Sequence, residues 1–246
     1  MIPIRDNIPT ARPPVVTLTL IAANVLSYFL FQHGTVTLGD PSSHAYVCNL
    51  SDHAAIPYEF THYGTQVGIR GCPRPTAPTW STAFTAMFMH GGLLHLGGNM
   101  LFLWIFGNNV EDSMGPLKFL VFYVLGGIAA LALQIAIGPN AQVPTLGASG
   151  AIAAVLAGYL VLFPRARVAT VIFIVFFFTI VELPALLFLI VWFGQQVLFG
   201  YFDLTDPTGG GGGVAYFAHI GGFVFGLLAV KLFAERMRVE RQLRRY

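Results

Sequence analysis

A serine, three histidines and an asparagine stand in stretches that are otherwise apolar, and their types are those of acyl-transfer chemistry. Ser149 lies in Gly147-Ala148-Ser149-Gly150 and His219 in Ala218-His219-Ile220-Gly221-Gly222. His95 and Asn99 close the run His90-Gly91-Gly92-Leu93-Leu94-His95-Leu96-Gly97-Gly98-Asn99. A serine hydroxyl is a weak nucleophile until a neighbouring base takes its proton, and imidazole is the natural base near neutral pH. The tetrahedral oxyanion that follows needs preorganised donors, for which the Ser149 backbone N–H, the Asn99 amide and the His95 imidazole are candidates. His95 and Asn99 are four residues apart, so a helix puts them on one face. His90 falls about 140° away around the same helix and reads as a supporting, packing residue. Glu182 would lie roughly 20 Å from Ser149 if the helices run straight, so no acid completes a triad. A Ser149/His219 dyad is what the residue types allow.

Positioning these groups falls to membrane-spanning helices. Of the 246 residues, 55% are hydrophobic and 10% charged, against about 25% charged in soluble domains. No Asp, Glu, Lys or Arg occurs between Pro75 and Val110 or between Phe119 and Pro164. A span needs about 20 residues, and six are expected: Val15 to Gln32, Ala83 to Phe106, Phe119 to Ile137, Gly147 to Phe163, Leu183 to Phe202 and Val214 to Val230. The fourth is short and must begin inside the membrane from a shielded loop. That puts Ser149 at a helix start, where free backbone N–H groups can hold an anion. Gly222 and Gly226 share a face with His219, and Gly150, Ala154 and Gly158 form a matching stripe, so the two helices can pack backbone to backbone. Val168 to Val181 is too short for a span and reads as an interfacial or buried segment. With six spans, all basic residues except Arg70 and Arg74 fall on the cytoplasmic side with both termini, as the positive-inside rule asks.

The expected fold is an all-α membrane protein, a six-transmembrane-helix bundle with a long first outer loop. Residues 1–14 form a cytoplasmic N-terminal segment, and 15–234 the six-span domain with its outer loop at about 33–80. Residues 235–246 form a basic cytoplasmic tail against anionic lipid. The outer loop holds Cys48 and Cys72, either free thiols or a disulfide permitted by an oxidising compartment. His33, His44, His53 and His62 match no compact ligand motif, and His-Glu-x-x-His is absent, so no metal or other cofactor is expected. A net charge of +2 suggests no nucleic-acid partner.

Taken together, the three motifs resemble the rhomboid intramembrane serine proteases, over Trp80 to Val230 and in the family's order; Val181-Glu182-Leu183-Pro184-Ala185 is similar to a segment of bacterial members. The resemblance implies a six-helix rhomboid-like bundle with a water-filled cavity open to the outer face of a cell membrane, of the bacterial inner-membrane kind. It implies Ser149 as nucleophile, His219 as base and His95 with Asn99 as oxyanion partners; His90, Gly147, Gly150 and Gly222 are expected to support them. It also implies transmembrane protein substrates and a cap formed by the loop from Asp203 to Gly213, whose glycine run from Gly209 suits a moving lid. Two positions depart from the pattern. Trp80 is followed by Ser81 where many members carry Trp-Arg, and Ala153 stands where some have a Tyr that stacks on the catalytic His. The rival readings are a rhomboid-like pseudoprotease that holds membrane clients, which expects loss of the Ser or the His, and a small-molecule transporter, which expects an internal repeat.

Overall fold

The computed structural model describes residues 2–36, 43–174, 177–205 and 214–245. In chain order these form β1 (Ile2–Asp6), α1 (Val15–Leu26), α2 (His44–His53), α3 (Pro57–Thr61), α4 (Thr79–Thr85), α5 (Leu93–Phe102), α6 (Asn108–Met114), α7 (Pro116–Ile137), α8 (Ser149–Leu162), β2 (Arg167–Ile174), β3 (Phe177–Pro184), α9 (Ala185–Thr205), α10 (Tyr216–Phe233) and α11 (Arg236–Arg245). Wider π turns extend α1 over Ser27–Phe31 and join α5 to α6 over Leu103–Gly107. Among the described residues, three helices, α7, α9 and α10, are long and apolar enough to cross a membrane, while Val15–Phe31 and Ser149–Leu162 are shorter apolar helices.

Helix α8 is the axis of the molecule. Every residue from Gly150 to Tyr159 is buried, as expected of a helix that is apolar all round. Small residues allow this enclosure. A Cβ at Gly222 of α10 would stand 2.0 Å from the Gly150 carbonyl oxygen, and one at Gly226 2.2 Å from that of Ala154. On the other side, a Cβ at Gly126 of α7 would stand 2.6 Å from the Ala154 Cβ, and one at Gly150 2.6 Å from the Ala130 Cβ. Without a hydrophobic drive between helices in lipid, such backbone approach is what holds α7, α8 and α10 together.

The fold is mostly helical but not all-α, which corrects the expectation. Strands β1, β2 and β3 form an antiparallel sheet in that order, with Ile2 opposite Val171 and Arg167 opposite Pro184. The segment read as interfacial is therefore part of a β-hairpin, because its Val, Ile, Thr and Phe side chains favour a pleated strand. Val168 and Thr170 are fully buried, whereas β3 is exposed along most of its length. A second correction concerns the expected helix from Ala83 to Phe106. It is broken: α4 ends in a 3-10 turn at Ala86–Phe88, and α5 begins only at Leu93. Gly91 and Gly92, poor helix formers, lie in the gap together with His90.

Both chain ends meet at one end of the bundle. The Glu111 carboxylate accepts the Val16 and Thr17 N–H groups at 2.9 and 2.7 Å, capping α1 from a distant helix. Asp112 accepts the Ala11 N–H at 2.6 Å. The basic tail, expected to lie on lipid, forms α11 and docks on α6: Gln242 is buried and donates to the Asn109 carbonyl at 3.3 Å. Glu235 bridges Lys118 and Arg238. Gly115, with φ of +84°, makes the left-handed turn between α6 and α7 that a side chain would strain.

Asp6 is the polar pin of this end. Its Oδ2 accepts from the Tyr159 hydroxyl at 2.6 Å and from Asn109 Nδ2 at 2.7 Å, tying β1 to the foot of α8. Burial pushes its carboxyl up to about 6, although hydrogen bonds from Tyr159 and the backbone pull the other way. The folded carboxyl thus holds its proton to about pH 6, whereas the unfolded one releases it near 3.8. Its contribution favours folding below that lower value and is lost as pH rises through the higher one. Asp6→Asn keeps an acceptor oxygen and removes the buried charge, so it should stabilise the protein at neutral pH by on the order of 2 kcal/mol. In thermal unfolding of detergent-solubilised protein, the gap from wild type should close on going from about pH 8 to about pH 4. A gap independent of pH would show that another group titrates.

At the opposite end, residues 43–80 pack as a cap over the loop before α8. Cys48 and Cys72 are disulfide-bonded, closing the alternative that the sequence left open. Ala55 and Thr145 exchange backbone hydrogen bonds at 3.0 and 2.7 Å, and Thr61 Oγ1 donates to the Pro139 carbonyl at 2.6 Å.

Candidate active site

The capped end holds a cavity of about 530 Å³. It is lined from α5 by Leu94, His95, Gly98, Asn99 and Phe102, from α8 by Ser149, from α9 by Trp192, and from the start of α10 by Ala215 and His219. Four of the sequence-predicted residues therefore share one space. The closeness of α8 and α10 brings two of them into contact: Ser149 Oγ lies 2.7 Å from His219 Nε2. Gly150 and Gly222, expected to support the site, are the two residues whose backbones touch beside it.

Ser149 is the first residue of α8, so its N–H belongs to a turn whose donors have no intrahelical acceptor. Gly147 sets this geometry. It adopts φ of +119°, which other residues avoid, while its N–H donates to the Ala86 carbonyl at 2.8 Å. Its Cα also faces the site: a Cβ there would stand 2.9 Å from His95 Nε2 and 3.5 Å from Ser149 Oγ.

His95 is oriented by the broken stretch before α5. The Gly91 N–H donates to His95 Nδ1 at 3.2 Å. A neutral imidazole that accepts at Nδ1 carries its proton at Nε2, and here Nε2 is the nitrogen beside Gly147. Asn99 lies one turn further along the same face; it is buried, and its Nδ2 has no hydrogen-bond partner among the described residues. An unpartnered buried donor costs about 1–3 kcal/mol, which suits a group that must meet a charge formed only during reaction.

His90 does not line the cavity. It sits in the extended stretch before α5 rather than in a helix, so the expected 140° offset on a common helix does not apply. It is fully buried, its ring meets the His95 ring edge-on at 5.2 Å, and both ring nitrogens lack hydrogen-bond partners among the described residues. Its backbone is held by a pair that the sequence did not suggest. Gln32 donates to the His90 carbonyl at 2.6 Å and accepts the His90 N–H at 2.9 Å, while the Tyr46 hydroxyl donates to the same carbonyl at 2.8 Å. Gln32 follows the π turn ending α1 and Tyr46 belongs to α2, so the long loop helps fix the entry to α5.

The partner of His219 is likewise one that the sequence does not indicate. Its Nδ1 lies 2.7 Å from Gln196 Oε1 on α9, and the Trp192 ring lies 5.9 Å from the imidazole at 37°. Gln196 is legible in the sequence as a polar residue within an apolar stretch, but it is not an acid and nothing in its spacing links it to His219. Of the expected cap, residues 206–213 lie outside the described residues; Val214 and Ala215, which follow, line the cavity.

The Rhomboid domain family model matches residues 77–236. Among curated proteins, the mitochondrial presenilin-associated rhomboid-like protein of Mus musculus is 28% identical over 149 residues, covering 60% of this chain and 36% of that protein. The mitochondrial rhomboid protein 1 of Saccharomyces cerevisiae is 31% identical over 165 residues, covering 64% of this chain and 43% of that protein. The chloroplastic rhomboid-like protein 11 of Arabidopsis thaliana is 36% identical over 75 residues, covering 30% of this chain and 26% of that protein. The chain spans less than half the length of each.

Proposed function

Because the chain belongs to the rhomboid family and carries membrane-spanning helices, we propose that it is an intramembrane serine endopeptidase, cutting peptide bonds in or near the transmembrane segments of its substrates. The observation that carries this reading is the 2.7 Å contact between Ser149 Oγ and His219 Nε2 inside the cavity. Ser149 Oγ attacks the scissile carbonyl carbon as its proton passes to His219 Nε2. The oxyanion is met by the Ser149 N–H, Asn99 Nδ2 and the His95 Nε2–H. The imidazolium then protonates the leaving amine and an acyl ester remains on Ser149. A water, deprotonated by His219, then attacks that ester; as the carboxylic-acid product leaves, the His219 imidazolium returns its proton to Ser149 Oγ.

Six spans accommodate this chemistry in a bilayer, with α1, α5 to α6, α7, α8, α9 and α10 as the crossings within a domain of residues 15–234. Both termini are on the cytoplasmic side and residues 33–80 on the outer side of a bacterial-type inner membrane. The basic residues gathered at the terminal end support that orientation. The helices α5 and α9 touch through Phe102 and Phe188, with ring centroids 6.1 Å apart. Nearer the capped end, the cavity lies between Leu94 on α5 and Trp192 on α9, which supports entry of a substrate segment there.

Cleavage requires an extended segment, and unwinding a helix in hydrocarbon leaves polar groups that cost several kcal/mol each. Single-span substrates with Gly-Ala pairs near the outer end should be cut about tenfold or more faster than the same spans carrying Leu-Leu. Equal rates at matched insertion would defeat the unwinding requirement. Asn99→Ala should lower kcat by about 10²–10³-fold with the fold intact, the usual cost of one oxyanion donor. A loss within twofold, measured on purified protein with a single-span reporter, would remove Asn99 from that role.

A further inference from the structure

We propose that Gln196 is a positioning residue: its amide oxygen fixes the tautomer of His219 so that Nε2 faces Ser149 as a proton acceptor. The inference rests on the Ser149/His219 reading above. It answers what replaces both an acid and the Tyr absent at Ala153.

The two ends of the Gln196 amide are chemically opposite, one a donor and one an acceptor. Gln196 Nε2 lies 3.2 Å from the Trp192 carbonyl oxygen, one turn earlier on α9. A carbonyl only accepts, so the NH₂ end must face it and the oxygen end must face the imidazole. That oxygen, 2.7 Å from His219 Nδ1, also only accepts, so the proton of the neutral ring must reside on Nδ1. Nε2 then carries the lone pair, and the Ser149 hydroxyl at 2.7 Å is left with one role towards it, that of donor. In the other tautomer two lone pairs would face each other at 2.7 Å with Gln196 buried. Trp192, four residues before Gln196 and hence on the same face of α9, closes one side of the ring. The oxygen keeps accepting from Nδ1–H after Nε2 takes the serine proton, so the contact persists through the reaction without a change of partner. A neutral amide supplies orientation and a dipole here, where a carboxylate would also supply charge.

Gln196→Met keeps length and volume but removes the acceptor, and Gln196→Glu restores it. In purified, folded protein, Gln196→Met should lower kcat roughly 10²-fold with KM little changed, because the ring is lost as an oriented base while the cavity is not reshaped. Gln196→Glu should recover most of that loss. A direct readout is the ¹⁵N spectrum of histidine-labelled protein in micelles, with the His219 signals identified by their loss in His219→Ala. The wild-type ring should show its proton on Nδ1, and Gln196→Met should show a mixture of tautomers. A wild-type ring protonated on Nε2, an unchanged tautomer in Gln196→Met, or turnover within twofold of wild type would each overturn the proposal. Activity persisting in Ser149→Ala would instead overturn the dyad, and the ¹⁵N spectra would still decide whether Gln196 sets the tautomer.

Discussion

Ser149→Ala and His219→Ala are each expected to lower cleavage of a single-span substrate by on the order of 10⁴-fold or more, with the double variant no worse than either single one. The expectation follows from the proposed sharing of one proton between two atoms 2.7 Å apart: removing either leaves the other without its task. Neither change should unfold the protein. Ser149 loses a hydroxyl that borders a cavity, and the α8–α10 contact is made by Gly150, Ala154, Gly222 and Gly226 rather than by these side chains. Rates would be followed on purified protein in detergent, with size exclusion and circular dichroism as controls. Well-folded Ser149→Ala that retained a tenth of wild-type activity would exclude the mechanism, and would also be unexpected of a client-binding pseudoprotease, which should not cut at all.

Gly222→Ala is also expected to be strongly damaging, by a different route. The added carbon is the Cβ itself, so no rotamer can move it from its place 2.0 Å from the Gly150 carbonyl oxygen. The helices α8 and α10 must part by more than 1 Å to restore van der Waals contact. Gly150 follows Ser149 and Gly222 lies three residues after His219, so the shift falls on the dyad. Overpacking of this kind costs typically 1–3 kcal/mol and occasionally more. Activity should fall about 10²-fold or further, since even 1 Å of misplacement is costly in an active site. Gly194→Ala on α9 is the control: its Cβ would meet nothing within 4 Å, and Ala is the better helix former. Gly222→Ala with wild-type melting temperature and turnover would mean that α8 and α10 are not in backbone contact.

Much of this was legible in the sequence because lipid makes polar residues and glycines informative. Ser149, His219, His95 and Asn99 stood out as polar groups among apolar ones, and the glycine stripes on α8 and α10 indicated the contact that joins two of them. What escaped was decided by local backbone rather than by hydropathy. The run from Ala83 to Phe106 is apolar throughout, yet His90-Gly91-Gly92 breaks the helix, and only the break lets the Gly91 N–H reach His95. By length and hydropathy Val168 to Val181 reads as an interfacial or buried segment, yet it forms the hairpin of β2 and β3, to which its β-branched content inclines it. Gln32, Tyr46 and Gln196 act through contacts 58, 44 and 23 residues away along the chain. No local spacing records pairs so distant. The docking of α11 on α6 is of the same kind, since a run of arginines reads as lipid-seeking until Gln242 is found buried against Asn109.

The most direct test of the dyad does not require the physiological substrate. An alkyl fluorophosphonate forms a covalent phosphonyl ester only with a serine whose proton a base removes, with fluoride as the leaving group. Purified protein treated with such a reagent, digested and mapped by mass spectrometry, should carry one adduct on Ser149, and His219→Ala should abolish it. Folded wild-type protein without an adduct on Ser149, or equal labelling of wild type and His219→Ala, would contradict the assignment of Ser149 as an activated nucleophile.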